Sequence, residues 1–163
     1  MSGKGTPATV VVSAAGIVHR LHEYAHEPTA ESYAHEASQA LNVEAARVHK
    51  TLVIVVRRDP RDDLLVAVVP ADATCDLKAV AIAVGARKAE MADQRDAQRS
   101  TGYVLGGISP LGQRQPLTTL IDEDAQLFDT IFVSGGRRGL EIELAAEDLA
   151  TLTKASFAPI AKR

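Results

Sequence analysis

The chain has 163 residues, of which 46% are hydrophobic, 24% charged and 4% aromatic, and its net charge is −3. That length and balance fit one globular domain, residues 1–163, able to build a core without metal or disulfide staples, and the single Cys75 suits a reducing cytoplasm. The slightly acidic balance excludes a basic DNA or RNA coat, which needs a large cationic surplus, and no apolar run reaches the roughly 18 residues of a membrane helix.

Thr6-Pro7 opens a helix, with a hydroxyl for the orphan amides and a proline at the first helical position. Val10, Ala14, Ile17, Val18 and Leu21 recur at helical spacing, so this helix is expected to continue into His19, Arg20 and Glu23 until Pro28 stops the segment. Residues 31–41 predict a second amphipathic helix, with Tyr33, Ala34, Ala37, Ala40 and Leu41 inward and Asn42 as its stop; a helical turn over 43–47 follows. The period then changes. Residues 50–56 (KTLVIVV) and 64–69 (LLVAVV) are rich in β-branched side chains and flank a charged turn, which predicts a hairpin. Asp76 caps a helix that Gly85 ends, and 92–99 forms another. Short strands are expected at 103–105, 117–121, 130–133 and 140–144, with a last helix over 146–154. Helices interspersed with hairpins predict an α+β fold around a curled sheet.

Several segments could carry chemistry. His22-Glu23-Tyr24-Ala25-His26 matches the H-E-x-x-H zinc pattern, with His35 as a conceivable third ligand. That chemistry needs a helix, however, and the nearby Pro28 disfavours one; ordinary histidines are the plainer reading. Cys75 precedes a helix that could activate its thiol, but no histidine is close in sequence. Residues 102–112 (GYVLGGISPLG) lack the Lys-Ser/Thr ending of a phosphate-binding loop. They could bring backbone amides to a ligand oxygen, or simply turn the chain. Residues 134–139 (SGGRRG) form at least an exposed hairpin turn, whose Arg137 and Arg138 could fork onto phosphate. Lys50 begins an otherwise apolar strand, so its ammonium either snorkels out at the sheet's end or enters a pocket.

The order of Val48-His49-Lys50-Thr51-Leu52, Asp76-Leu77-Lys78, Glu90-Met91-Ala92-Asp93, Arg99-Ser100-Thr101-Gly102-Tyr103, the segment 106–112 (GGISPLG) and the segment 133–140 (VSGGRRGL) resembles that of the YbaK-type free-standing editing enzymes. These are Cys-tRNA(Pro) deacylases related to the insertion domain of bacterial prolyl-tRNA synthetase, and the resemblance spans residues 24–149. It implies an α+β fold: a curled, mixed, mostly antiparallel β-sheet or barrel surrounded by helices. It implies a reaction in which the substrate's own cysteine thiol attacks its ester carbonyl, releasing a thiolactone and free tRNA without cofactor, metal or enzyme nucleophile.

By the same resemblance, Lys50, Gly106, Gly107 and Ser109 are the catalytic candidates. Lys50 would orient the tRNA 3′ end, and the amides of the G-x-x-x-P loop, Gly106 to Pro110, would hold the ester carbonyl. Tyr24, Tyr33, Pro110, Gly136 and Glu141 would bind substrate, with Glu141 standing where many relatives carry aspartate. Ser109 replaces the histidine common in alanine-editing relatives and points to cysteine clearance. Arg99, Arg137 and Arg138 are candidates for tRNA phosphates. A net charge of −3 gives little autonomous affinity for tRNA, so prolyl-tRNA synthetase is the expected partner, with no DNA and no membrane. The resemblance also makes the 22–26 segment a strand. Alternatives are a deacylase for Ala-tRNA(Pro), a zinc hydrolase using His22, Glu23 and His26, or a non-catalytic synthetase-associated module.

Overall fold

The computed structural model describes residues 5–26 and 33–163. In chain order the elements are α1 (Pro7–Ala14), β1 (His19–Glu23), α2 (Tyr33–Leu41), β2 (His49–Arg57), β3 (Asp63–Pro70), β4 (Thr74–Cys75), α3 (Leu77–Val84), β5 (Lys88–Met91), α4 (Gln94–Thr101), β6 (Thr118–Asp122), a 3-10 turn at Glu123–Leu127, β7 (Ile131–Ser134), β8 (Leu140–Leu144), α5 (Ala146–Thr153), β9 (Ser156–Ala158) and β10 (Ala161–Lys162). The α+β class is as expected. Among the described residues the strands do not close into a barrel; they form open sheets ordered β1-β8-β7, β5-β2-β3-β6-β9 and β10-β4.

Thr6 caps α1, its hydroxyl accepting from the Thr9 amide. The helix stops at Ala14 instead of continuing through Leu21. Gly16 takes φ +69°, and β1 pairs antiparallel with β8 from His19↔Leu144 to Glu23↔Leu140. Strand pairing therefore overrides a helical period that local sequence alone supports. The Pro28 stop and the expected start of α2 at Glu31 lie outside the described residues. Within α2, Ala37 is buried while Ala40 is exposed, so the inward stripe is narrower than the spacing suggested.

The hairpin of β2 and β3 keeps an unbroken register from His49↔Pro70 to Val56↔Asp63. The neighbours of β6 are not antiparallel: β3–β6 and β6–β9 pair in parallel. Residues 103–105 are not a strand. Gly102 ends α4 in the left-handed region, and the buried Tyr103 hydroxyl donates to the Leu111 carbonyl at 2.5 Å, tying down a loop. The short β4, β5, β9 and β10 have too little periodic sequence to announce themselves.

Strand alternation sorts the core into two layers. Ile54, Val56, Leu65, Ala67 and Val69 pack against Val80 and Ala81 of α3. Val53, Val66, Val68 and Ile121 face the other way, onto Ile131, Val133, Ile142 and Leu144 of the three-stranded sheet. Each fully buried aliphatic side chain contributes about 1.5–3 kcal/mol, so the five-stranded sheet is held from both faces. One isolated parallel bridge, Val48↔Phe132, stitches the start of β2 to β7, reinforced by Phe132 N donating to Arg47 O at 3.0 Å.

Buried Asp122 fastens the last strands: its Oδ1 accepts from Ile160 N at 3.1 Å and Ala161 N at 3.0 Å, and its Oδ2 from Asp124 N at 3.2 Å. Asp122→Ala takes the carboxylate acceptor from the part-buried Ala161 amide and one of two acceptors from the buried Ile160 amide, which keeps Ala158 O at 2.9 Å. The loss should cost about 1–3 kcal/mol in denaturant unfolding and expose residues 160–162 to amide exchange; an unchanged midpoint would contradict this role.

Candidate active site

β2 leaves the seam between the two large sheets carrying His49, Lys50, Thr51 and Leu52, and these residues line a cavity of about 240 Å³. Its other walls are Tyr24 after β1, Tyr33 and Ala34 of α2, Leu105, Gly106 and Ile108 of the glycine-rich loop, Ser134 of β7 and Glu141 of β8. Six separate segments thus converge on one enclosure. Among the described residues, four buried side-chain polar atoms lack a hydrogen-bond partner, and three of them belong to this wall: His49 Nε2, Thr51 Oγ1 and Glu141 Oε1. Unpaired buried polar groups cost about 1–3 kcal/mol each, so such a cluster marks a place built to receive a polar ligand.

The electrostatics are uneven around the cavity. Glu141 is only 7% exposed, and burial raises its pKa to about 8, so at neutral pH it is a carboxylic acid with a proton to donate. Burial also pushes Tyr24 to about 12, with the charge of Glu141 and then that of Glu36 adding to the effect. The Lys50 pKa is lowered by burial, against the opposing influence of Cys75 and Asp72. Cys75 is raised to about 11, chiefly by burial and then by Asp76, which leaves an unreactive thiol at neutral pH.

The glycine loop is held by close backbone contact. Gly106 has φ +91°, and a Cβ there would lie 3.2 Å from the Tyr33 ring. A Cβ on Gly107 would come within 2.7 Å of the Arg137 backbone, so the loop and the 134–139 hairpin interlock only because that residue is glycine. The Gly107 amide donates to Val104 O at 2.9 Å and is therefore not offered to a ligand. The amides of its cavity-lining neighbours Gly106 and Ile108 donate to no acceptor among the described residues.

Of the residues singled out from sequence, Lys50, Gly106, Tyr24, Tyr33 and Glu141 meet in the cavity, whereas Gly107, Ser109, Pro110 and Gly136 do not line it. Ser109 is fully buried, and its hydroxyl accepts from Leu111 N at 3.2 Å, so it shapes the turn. Arg99 lies on α4 beside Asp96 at 3.6 Å. Arg137 is ion-paired with Glu23. Arg138 lies 3.4 Å from Glu36 and stacks 4.5 Å above the Tyr33 ring. Sequence reasoning missed Thr51, His49, Ser134 and Ile108. The first two were legible only as strand neighbours of Lys50, whose placement in a pocket had been left open.

The zinc pattern dissolves. His22 and Glu23 are consecutive strand residues and so point to opposite faces. His22 Nε2 lies 2.9 Å from Glu143 Oε1, and Glu23 is engaged by Arg137. Among the described residues no cluster of three or more His, Cys, Asp or Glu is placed to hold a metal.

Loops and strands that meet around a small enclosure fit the aminoacyl-tRNA editing domain, whose family model matches residues 26–152; the chain belongs to that family. A protein of Enterococcus faecalis (strain ATCC 700802 / V583), provisionally named Cys-tRNA(Pro)/Cys-tRNA(Cys) deacylase EbsC, is 40% identical over 127 residues, 78% of this chain and 76% of its own length. Two solved structures share the fold. A crystal structure described provisionally as a trans-editing enzyme for prolyl tRNA synthetase has a TM-score of 0.82 at 23% identity, covering 99% of this chain and 100% of that one. A hypothetical protein has a TM-score of 0.84 at 21% identity, covering 96% and 100%.

The burial of Glu141 has a signed consequence. Folded Glu141 holds its proton to about pH 8, against an ordinary value of 4.5, so its ionisation increasingly favours the unfolded chain as pH rises between those values. Glu141→Gln removes that penalty, on the order of 3 kcal/mol at pH 7. Thermal melts should show the variant stabilised at pH 8 and little changed at pH 5; an equal shift at both would contradict the assignment.

Proposed function

We propose that this chain is an aminoacyl-tRNA deacylase that clears Cys-tRNA(Pro), acting in the cytoplasm as one editing domain beside prolyl-tRNA synthetase. The observation that carries this reading is the convergence of three unpartnered buried polar atoms on the cavity that Lys50 and the Gly106 loop enclose. At about 240 Å³ it lies below the roughly 300–1,000 Å³ of ordinary small-molecule sites. It therefore suits an aminoacyl ester and its sugar while the polynucleotide stays outside. The identity to the Enterococcus protein and its name support cysteine as the amino acid.

In this reading the cysteinyl thiol attacks its own ester carbonyl. A carbon–sulfur bond forms, the carbon–oxygen bond to the ribose breaks, and cysteine thiolactone leaves free tRNA. The protein contributes orientation and donors for the developing oxyanion. Of the Gly106 to Pro110 loop expected to hold the ester carbonyl, Gly106 and Ile108 offer amides, whereas the Gly107 amide is taken by Val104 O. Lys50, on the cavity wall, meets the ribose end of the tRNA. Neutral Glu141 donates a hydrogen bond to the ester or the neighbouring hydroxyl. Arg137 and Arg138 reach phosphate only by exchanging Glu23 and Glu36, so tight binding of the tRNA body falls to the synthetase.

Purified protein incubated with Cys-tRNA(Pro) and Ala-tRNA(Pro) should release the cysteinyl tRNA much faster. Lys50→Ala should lower that rate about 100-fold, Cys75→Ala should leave it within about twofold, and chelators should not inhibit. Equal activity on both esters points to a broader or alanine-directed deacylase. tRNA binding without turnover identifies a non-catalytic module and overturns the assignment.

A further inference from the structure

His49 lines the cavity beside Lys50 and carries a ring nitrogen that no protein group engages. His49 is 2% exposed, and its Nδ1 lies 3.0 Å from the Arg47 carbonyl. A carbonyl can only accept, so Nδ1 carries the ring proton and Nε2 is left as a bare lone pair. That Nε2 is buried and has no partner, on a residue that lines the cavity immediately before Lys50. We propose that His49 Nε2 takes the proton from the attacking thiol of the substrate and returns it to the departing ribose oxygen. The inference rests on the deacylase reading and supplies its missing proton carrier.

The other groups on the wall do not fit this task. Glu141, raised to about 8, is already protonated at neutral pH, and Tyr24 at about 12 is a donor. Thr51 is a hydroxyl, and Lys50, whose pKa burial lowers against the influence of Cys75 and Asp72, is already assigned to the ribose end of the tRNA. His49 is an imidazole whose pKa burial lowers, only partly offset by the Arg47 carbonyl, Asp122 and Asp72, with Arg163 adding to the lowering. It is therefore neutral and ready to accept at neutral pH. His49 comes from the five-stranded sheet and Glu141 from the three-stranded one, so a base and a neutral acid belong to opposite sheets around the same enclosure. Such divergent environments are how a site assigns acid and base roles.

The proton balance closes within the site. The thiol loses its proton to Nε2 as sulfur bonds to the carbonyl carbon. The imidazolium, held by its Nδ1–H to Arg47, then protonates the ribose oxygen as the carbon–oxygen bond breaks. His49 ends as it began, and no water, oxidant or further reactant is consumed.

His49→Asn tests this role, since its side-chain amide keeps an N–H for the Arg47 carbonyl while removing the base. Single-turnover deacylation of Cys-tRNA(Pro) at pH 7 should fall about 100- to 1,000-fold with little change in KM. The variant's rate should then climb about tenfold per pH unit between pH 6 and 8 as the substrate thiol ionises unaided, while the wild type stays nearly level. A variant within about threefold of wild type, or a deficit that is the same at every pH, overturns the role. Wild-type protein that does not deacylate removes the underlying functional reading instead. Nitrogen-15 spectra of histidine-labelled wild-type protein provide a check that does not depend on the variant folding: at pH 7 they should show protonated Nδ1 and bare Nε2 at His49. An imidazolium or an Nε2–H form there overturns the proposal.

Discussion

The bridge between Val48 and Phe132 is the constraint on which the site depends. It joins two sheets that otherwise meet only through side chains, and it does so at the residue where β2 emerges from the seam. Everything immediately after Val48 is therefore delivered to the gap between the sheets. The Arg47 carbonyl both accepts from Phe132 N at 3.0 Å and faces His49 Nδ1 at 3.0 Å. A single backbone oxygen thus closes the seam and fixes the histidine tautomer.

The second level of organisation is charge pairing. Arg57 is held by Asp62 and Glu90, Arg137 by Glu23, Arg138 by Glu36, and Arg163 by Asp72 and Asp124. These pairs are mostly exposed and each is worth little to stability. Their larger effect is to hide positive charge from the solvent. With a net charge of −3, the surface offers little long-range attraction to a polyanion. A protein built this way holds a polynucleotide weakly and releases it easily.

The β2–β3 hairpin, α3 with its Asp76 cap and Gly85 stop, and the strands β6, β7 and β8 were legible because period, caps and turn residues agreed within each segment. The continuation of α1 through Leu21 was misread because pairing with β8, more than a hundred residues away, has no local signature. The parallel pairing of β6 is non-local in the same sense. At the site, the order of short motifs led to Lys50, Tyr24, Tyr33, Gly106 and Glu141. It did not separate cavity-lining residues from those that only shape the loop, such as Ser109 and Gly107. His49 and Thr51 were hidden for a related reason. A histidine beside a lysine at the start of a strand reads as an ordinary strand end, and only burial without a partner reveals what its Nε2 is free to do.

The central claim is that this cavity cuts the ester with the substrate's own thiol and no enzyme nucleophile. The most direct measurement is mass analysis of the first product released from Cys-tRNA(Pro) in water enriched with oxygen-18. The account predicts cysteine thiolactone, free of heavy oxygen, appearing before any cysteine. Free cysteine labelled in its carboxyl group as the first product, with no thiolactone at the earliest times, would contradict it.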